Sequence, residues 1–122
     1  MKKQLLFIIP KLCIGGAEKS LISLLQLLDY SAYDVDLLLF RKEGAFLADV
    51  PEQVNITDAG EEYLRFDGSA SQYIKGCIKK LRFSRILNRI VYSKAVSSGN
   101  YAKGWRCLRK IMTAPVKHYD AA

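Results

Sequence analysis

The stretch Leu5–Leu28 reads LLFIIPKLCIGGAEKSLISLLQLL and decides the fold. It begins with an apolar run that ends at Pro10, which is typical of a β-strand covered by helices on both faces. A short loop follows and ends in Gly15 and Gly16, two residues that can adopt positive φ. Leucines then recur at the spacing of one helical face, namely Leu21, Leu24, Leu25 and Leu28, and Ile22 widens this apolar stripe. A strand, a glycine turn and a helix form the first half of a βαβ unit.

The segments after this helix predict a parallel sheet. Tyr33–Phe40 alternates at first and then becomes fully apolar, as a second strand would. Ala45–Val50 predicts one helical turn, and Val54–Ile56 predicts a short third strand. Because strand–helix–strand paths cross over with one hand, these strands should pair in parallel. The predicted fold class is α/β, an incomplete Rossmann-like half-domain with about three parallel strands plus helices.

The whole chain, residues 1–122, is predicted to be a single partial domain whose βαβ core and third strand occupy residues 1–56. Residues 57–71 contain two glycines and four acidic residues and predict a loop. Residues 72–112 form a basic helical segment, broken at Ser97-Ser98-Gly99-Asn100 and stopped by Thr113-Ala114-Pro115. Residues 113–122 end in a Tyr-Asp pair like the one that starts the second strand. They are expected to lead into a fourth strand, which a longer protein would complete.

Charge is divided unevenly along the chain. Half of the 122 residues are apolar. Residues 1–67 carry seven Lys and Arg against eleven Asp and Glu, whereas residues 68–122 carry twelve against one. The apolar half is enough to bury a core, which excludes a disordered chain. The positive charge of the second half predicts an anionic partner or a solvated helical face there.

Cysteine and histidine usage excludes several kinds of site. The cysteines Cys13, Cys77 and Cys107 are far apart and have no paired spacing, so they are interpreted as reduced thiols. With His118 as the single histidine, neither a zinc centre nor a Ser-His-Asp triad is expected, and no metal, cofactor or catalytic residue is assigned.

The first apolar run is too short for a signal peptide, and no stretch is long enough to span a bilayer. A cytoplasmic protein with peripheral membrane contact at most is expected.

The glycine turn leaves two interpretations open. It matches neither the dinucleotide fingerprint nor the Gly-Lys-Ser type of phosphate loop. The free N–H groups of Gly16, Ala17 and Glu18 at a helix N-terminus nevertheless suit a phosphate. Alternatively, Gly15 and Gly16 only let the chain turn sharply onto the helix.

Four segments carry a resemblance to a known family. They are Phe7-Ile8-Ile9-Pro10, Gly15-Gly16-Ala17-Glu18-Lys19-Ser20-Leu21, Leu28-Asp29 and Tyr33-Asp34-Val35-Asp36-Leu37-Leu38-Leu39-Phe40. Together they resemble the amino-terminal region of family 4 glycosyltransferases, which have the GT-B fold. The likeness is close over residues 4–56 and faint afterwards. The Gly-Gly-Ala-Glu element, followed by a Tyr-Asp-Val strand, is its most specific part.

The resemblance implies two facing Rossmann-like domains with the substrate cleft between them. The residues that would approach the diphosphate of a nucleotide-sugar donor are Gly15, Gly16 and Ala17. Those that would lie near a glycan or glycolipid acceptor are Lys11, Arg41 and Lys42. The family's two glutamates separated by seven residues are missing here. The implied function is the acceptor-side portion of a sugar transferase in polysaccharide or glycolipid assembly, without turnover on its own.

The basic helical segment has three open interpretations: a solvated face, a peripheral surface for anionic membranes, or a nucleic-acid surface, for which no binding motif is present. The membrane-surface candidates are Lys79, Lys80, Arg82, Arg85 and Arg89, with Phe83, Tyr92 and Trp105 entering the interface. A non-catalytic basic module of this kind is the alternative to the transferase. Uncovered sheet edges and apolar helix faces also predict self-association.

Overall fold

A computed structural model describes residues 1–113 and 117–122 of the chain. The chain divides into two compact parts, which we call the sheet unit (residues 1–59 and 117–122) and the helical unit (residues 60–113). The sheet unit contains β1 (Lys3–Ile9), α1 (Gly16–Leu27), β2 (Tyr33–Leu39), a 3₁₀ helix (Ala45–Asp49) and β3 (Asn55–Asp58). The helical unit contains α2 (Glu61–Asp67), α3 (Ala70–Lys79), α4 (Phe83–Ser97) and α5 (Tyr101–Arg109).

The three strands of the sheet unit form one all-parallel sheet in the order β1-β2-β3. In its register, Lys3 of β1 lies beside Tyr33 of β2, and Asp36 of β2 lies beside Asn55 of β3. β3 extends to Asp58, two residues beyond the predicted third strand. The predicted α/β class and the parallel pairing of the strands are confirmed.

One face of the sheet packs against α1. The buried core on this face consists of Leu12, Ile22, Leu25, Val35, Leu37, Leu39 and Val54. The predicted stripe of α1 does face this core, with Ile22 and Leu25 buried and Leu21 and Leu28 partly buried beside them. Its centre is rotated slightly, because the helix meets the sheet along a line through Ile22 and Leu25. Leu24, predicted to be buried, is 47% exposed as a result.

The second edge of β1 pairs with the last residues of the chain. The Leu6 N–H donates to the Ala121 carbonyl at 2.9 Å, and the Asp120 N–H donates to the Gln4 carbonyl at 2.8 Å. Leu5 and Ala121 accordingly form a parallel bridge. β2 occupies the other edge of β1, so the bridge lies at the outer edge of the sheet. That this segment leads into a fourth strand stays a prediction.

The prediction of a loop over residues 57–71 is wrong, because the stretch contains the end of β3 and all of α2. Gly60 and Gly68 flank this seven-residue helix, and its first turn carries Glu61 and Glu62. Carboxylates in the first turn complement the positive end of a helix. The two glycines that indicated a loop are thus the caps of a helix, and two of the four acidic residues form its first turn.

The basic helical segment is divided at two points. Between α3 and α4, Leu81 adopts a φ of 51°, and the Arg82 N–H donates to the Cys77 carbonyl at 2.9 Å. This closure is the type of helix C-cap that usually places glycine in the left-handed conformation. The predicted break at residues 97–100 is confirmed, since it separates α4 from α5. The predicted stop at Ala114-Pro115 lies outside the described residues.

An aromatic cluster forms the core of the helical unit. The ring of Phe66, a fully buried residue, meets the rings of Tyr73 and Tyr92 edge to face, with centroids 5.2 and 5.0 Å away. The guanidinium of Arg89 lies 5.0 Å from the Phe66 centroid and 5.5 Å from that of Tyr92. These contacts join α2, α3 and α4 through one side chain, Phe66.

Candidate functional site

The loops after β1 and β2 run side by side at the carboxyl edge of the sheet, the edge where open α/β sheets bind ligands. The Arg41 N–H donates to the Pro10 carbonyl at 2.9 Å, and the Leu12 N–H donates to the Glu43 carbonyl at 3.0 Å. Lys11 Nζ lies 4.0 Å from Glu43 Oε1. The structure therefore places the acceptor-side candidates Lys11, Arg41 and Lys42 in two adjacent loops.

Gly44 holds these two loops together. Its φ of 128° is in a region that side chains rarely adopt, and a Cβ at this position would overlap the carbonyl of Leu12 and crowd the nitrogen of Cys13. The Phe46 N–H donates to the same Leu12 carbonyl at 3.0 Å. The close approach of the loops therefore requires glycine at position 44.

The backbone conformation at the start of α1 does not require glycine at positions 15 and 16. Gly15, the N-cap, has an extended backbone with φ of −163°, and neither Gly15 nor Gly16 adopts positive φ. Apart from its two chain neighbours and the local helix backbone, no atom of residues 1–113 and 117–122 lies within 4 Å of where a Cβ of Gly16 would be. The interpretation that two glycines are needed to turn the chain sharply is therefore unsupported by the backbone angles. The space beside Gly16 is open.

Glu18 occupies the N-terminal end of α1. Its carboxylate folds back toward Gly15 so closely that a Cβ on Gly15 would overlap Glu18 Oε2. Glu18 is the third helical residue, the position from which a glutamate reaches back to a helix N-cap in a capping box. The carboxylate thus sits where the positive helix end would attract an external anion.

Asp36, a buried residue in the middle of β2, binds side chains from the carboxyl-terminal residues of the chain. Asp36 Oδ1 accepts from Asn55 Nδ2 at 2.9 Å, and Asp36 Oδ2 accepts from the Tyr119 hydroxyl at 2.6 Å. Lys117 Nζ lies 3.1 Å from Oδ2. Asp36 itself is 5% exposed. All the polar atoms of this carboxylate are therefore satisfied, which is what burial of a charge requires.

Burial and pairing act in opposite directions on the acid strength of Asp36. Burial raises its pKa, but hydrogen bonds from Tyr119, Asn55 and Lys117, together with the Lys117 charge, outweigh burial and leave the pKa below its usual value. Burial and the hydrogen bond to Asp36 raise the pKa of Tyr119 to about 12. The pair is therefore a carboxylate and a neutral phenol over a wide pH range.

We expect the Tyr119→Phe variant to lose part of the alkaline pH dependence of unfolding. A phenol whose pKa rises from 10 to about 12 on folding contributes stability that is complete below pH 10 and is lost as the pH rises through 12. The depressed pKa of Asp36 contributes stability above about pH 4 that is lost as the pH falls through the folded value. Urea unfolding followed by circular dichroism should show a flatter decline between pH 10 and 12 for the variant.

The control for this prediction is Tyr101→Phe, which changes a phenol that is 69% exposed on α5. It should retain the alkaline decline of the wild-type chain. At neutral pH, Tyr119→Phe should also lower the free energy of unfolding by about 1.5–3 kcal/mol, the usual contribution of a hydrogen bond to a charged group. An unchanged alkaline decline in Tyr119→Phe would contradict the assignment.

The five basic candidates of the helical segment have different surroundings. Lys79 and Lys80 are exposed. Glu62 Oε1 lies 3.0 Å from Arg85 Nη1 and 3.9 Å from Arg82 Nη1, so both arginines face a carboxylate. Arg89 is only 9% exposed, and its guanidinium donates to the hydroxyl of Ser93 at 2.7 Å. The prediction that Arg89 lies on the surface is wrong, because its guanidinium packs against the buried rings of Phe66 and Tyr92.

The helical unit also contains a cleft of about 510 Å³, lined by α2, α3 and the residues that follow each of them. Glu62, Tyr73, Cys77 and Lys80 are among its lining residues. Burial, with smaller effects of Cys77 and Glu62, raises the pKa of Tyr73 to about 12, so the phenol stays neutral. Nothing in the amino-acid pattern indicated this cleft, which depends on how the two helices pack.

Two further observations concern the described ranges as a whole. None of the helices in residues 1–113 and 117–122 has the length and apolar character needed to cross a bilayer. In those same residues, no three or more His, Cys, Asp and Glu side chains gather in a group that could hold a metal ion. The three cysteines are free, with Cys77 and Cys107 buried.

The fold and the site define an α/β chain whose parallel sheet carries two joined loops, basic residues and a helix N-terminus at its carboxyl edge. Comparison with protein-family models, curated proteins and solved structures found no match. The function is therefore argued from the residues and their geometry.

Proposed function

We propose that the sheet unit forms the acceptor-side wall of a sugar-transfer site, in which a nucleotide-sugar donor gives its sugar to a polysaccharide or lipid-linked acceptor. The observation that carries the proposal is the open space beside Gly16 at the N-terminus of α1. The backbone does not need glycine there, whereas close approach of a ligand does. The resemblance of residues 4–56 to family 4 glycosyltransferases supports the same assignment.

The chemistry of sugar transfer suits this edge of the sheet. The donor diphosphate leaves with negative charge, which preorganised N–H groups at a helix end stabilise without reorganising. Gly16 and Ala17 supply such groups, while Lys11 and Lys42 in the adjoining loops supply positive charge. The acceptor would lie against these loops. Residues that bind the nucleotide would have to come from another domain, since no two glutamates here are separated by seven residues.

A titration with inorganic pyrophosphate tests the proposal without requiring turnover. We expect pyrophosphate to shift the backbone amide resonances of Gly16 and Ala17 in a two-dimensional NMR spectrum. Glu18→Gln should tighten binding about fivefold or more, because it removes a negative charge next to the anion. Lys42→Gln should weaken it by a similar factor.

The matched control is Lys3→Gln, which removes one positive charge at the amino end of β1. Six residues of extended strand separate the two ends of β1 by about 20 Å, beyond the screening length of about 10 Å at 0.1 M salt. Lys3→Gln should therefore leave the affinity unchanged. Unshifted Gly16 and Ala17 amides, or equal weakening by Lys3→Gln and Lys42→Gln, would contradict the proposal.

A further inference from the structure

One face of α4 exposes three large apolar side chains in a row. Phe83 and Leu87 are each 63% exposed and Ile90 is 50% exposed, and their spacing of four and three residues puts them on the same helical face. We call these three residues the α4 stripe. α5 packs against the opposite face of α4, where Asn88 Nδ2 donates to the Cys107 carbonyl at 3.0 Å. Neither α5 nor the aromatic cluster therefore covers the α4 stripe.

The α4 stripe continues onto α3. Ile74 of α3 and Ile90 line one shared groove. Ile78, one helical turn after Ile74, is 52% exposed. The exposed apolar surface thus spans two neighbouring helices. Single apolar residues scattered over a protein surface need no explanation, but a continuous surface of this kind is typical of an interaction site.

Lysines border this surface at both ends. Lys79 and Lys80 precede the α4 stripe, and Lys94 continues its face one turn after Ile90. None of the three takes part in an ion pair within residues 1–113 and 117–122. Residues 68–113 contain eleven Lys and Arg and no Asp or Glu. Lysines therefore lie at both ends of the apolar surface, and the segment that carries it has no acidic residue of its own.

We infer that the α4 stripe inserts into the interface of an anionic lipid bilayer while Lys79, Lys80 and Lys94 contact the lipid headgroups. An apolar helical face with a basic border is the composition of helices that lie in the membrane surface. An anionic bilayer interacts with both the apolar face and the basic border: its interior accepts the apolar side chains, and its surface charge attracts the lysines. The docking residues differ from the predicted set, since Arg82 and Arg85 face Glu62 and Arg89 is buried.

Two other occupants fit this surface less well. A second copy of the chain would bring two lysine-bordered faces together, and like charges across an interface oppose association. A nucleic acid would use the lysines but would leave Leu87 and Ile90 exposed to water, because phosphates bind charge and bases stack on aromatic rings. The bilayer is the occupant that matches both the apolar residues and the charge.

Sedimentation of the full chain with lipid vesicles tests the inference. The chain should bind vesicles containing phosphatidylglycerol and should not bind vesicles of phosphatidylcholine alone. Phe83→Ser/Leu87→Ser should lower the partition coefficient about tenfold or more, because insertion buries these side chains. Lys79→Gln/Lys80→Gln should lower it about 25-fold at low salt, at about fivefold for each lysine near the surface.

Matched controls separate docking from general attraction. Lys103→Gln/Lys110→Gln removes the same charge from α5 and its C-cap, on the other side of α4, and should lower the partition coefficient much less. Leu27→Ser removes a leucine that is 85% exposed in the sheet unit and should have no effect. Circular dichroism of each variant checks that it is folded.

Four results would overturn the inference. One is binding that does not depend on anionic lipid, and another is equal loss of binding for the two double-lysine variants. The third is a wild-type chain that sediments as a dimer, with Phe83→Ser/Leu87→Ser making it monomeric, which would assign the α4 stripe to a second copy. The fourth is salt-sensitive binding to RNA or DNA that survives Phe83→Ser/Leu87→Ser, with no vesicle binding, which would assign the lysines to nucleic acid.

Discussion

Replacing Gly44 with alanine is expected to lower the free energy of unfolding of the sheet unit by about 3 kcal/mol or more. The φ of 128° is strained for any residue with a Cβ, which accounts for about 1–3 kcal/mol. The new Cβ would also overlap the Leu12 carbonyl, which accepts the Phe46 N–H at 3.0 Å. Because Leu12 is fully buried, displacing it disturbs the core as well as the two loops.

Gly16→Ala is the matched control for this variant. Position 16 is helical, has negative φ and has room for a Cβ, and alanine is the better helix former by up to about 1 kcal/mol. Hydrogen exchange of the Leu37 and Leu39 amides in β2 reports on the sheet unit. Exchange should be much faster in Gly44→Ala and unchanged or slower in Gly16→Ala. Equal exchange rates in the two variants would show that the loops can separate without loss of stability.

The fold of the sheet unit could be predicted because its signals are local. The apolar run before Pro10 and the pattern of Tyr33–Phe40 each predicted a strand, and the parallel pairing follows from their spacing along the chain. Burial was predicted correctly for β2 but not for β1, which was expected to be covered on both faces although Ile8 is 53% exposed. The rotation of α1 could not be predicted in this way. Leu24 and Leu25 are equally apolar, and only the line of contact with the sheet decides that Leu25 is buried and Leu24 is exposed.

The candidate site could be predicted only in part. Pattern and resemblance indicated the loop residues at the carboxyl edge of the sheet, and the structure places these loops side by side. Gly44 was missed because its need for glycine arises from contact with Leu12, a residue far away in sequence. Asp36 was also missed, although a charged residue inside an apolar strand was a usable signal. Its partners Lys117 and Tyr119 come from the other end of the chain.

Replacing Phe66 with alanine should destabilise the helical unit by about 3–5 kcal/mol, the usual loss for removing a buried phenylalanine. The change would leave a cavity where α2, α3 and α4 meet and would remove the ring on which the Arg89 guanidinium stacks. A helix of seven residues such as α2 does not persist by itself in water, so it depends on this contact. Phe66→Leu retains most of the apolar volume and should lose about 1–3 kcal/mol, from the aromatic and cation–π contacts alone.

Trp105, the single tryptophan of the chain, lies on α5 and reports by its fluorescence on unfolding of the helical unit. The matched control is Leu64→Ala on the same helix, where the side chain is 43% exposed and its removal should lower the free energy of unfolding by less than about 1 kcal/mol. The graded order Phe66→Ala, Phe66→Leu, Leu64→Ala would show that the ring itself, and not only helix formation by α2, holds the unit together. If Phe66→Leu is as stable as the wild-type chain, the stacking of Arg89 contributes nothing, and apolar volume alone organises this core.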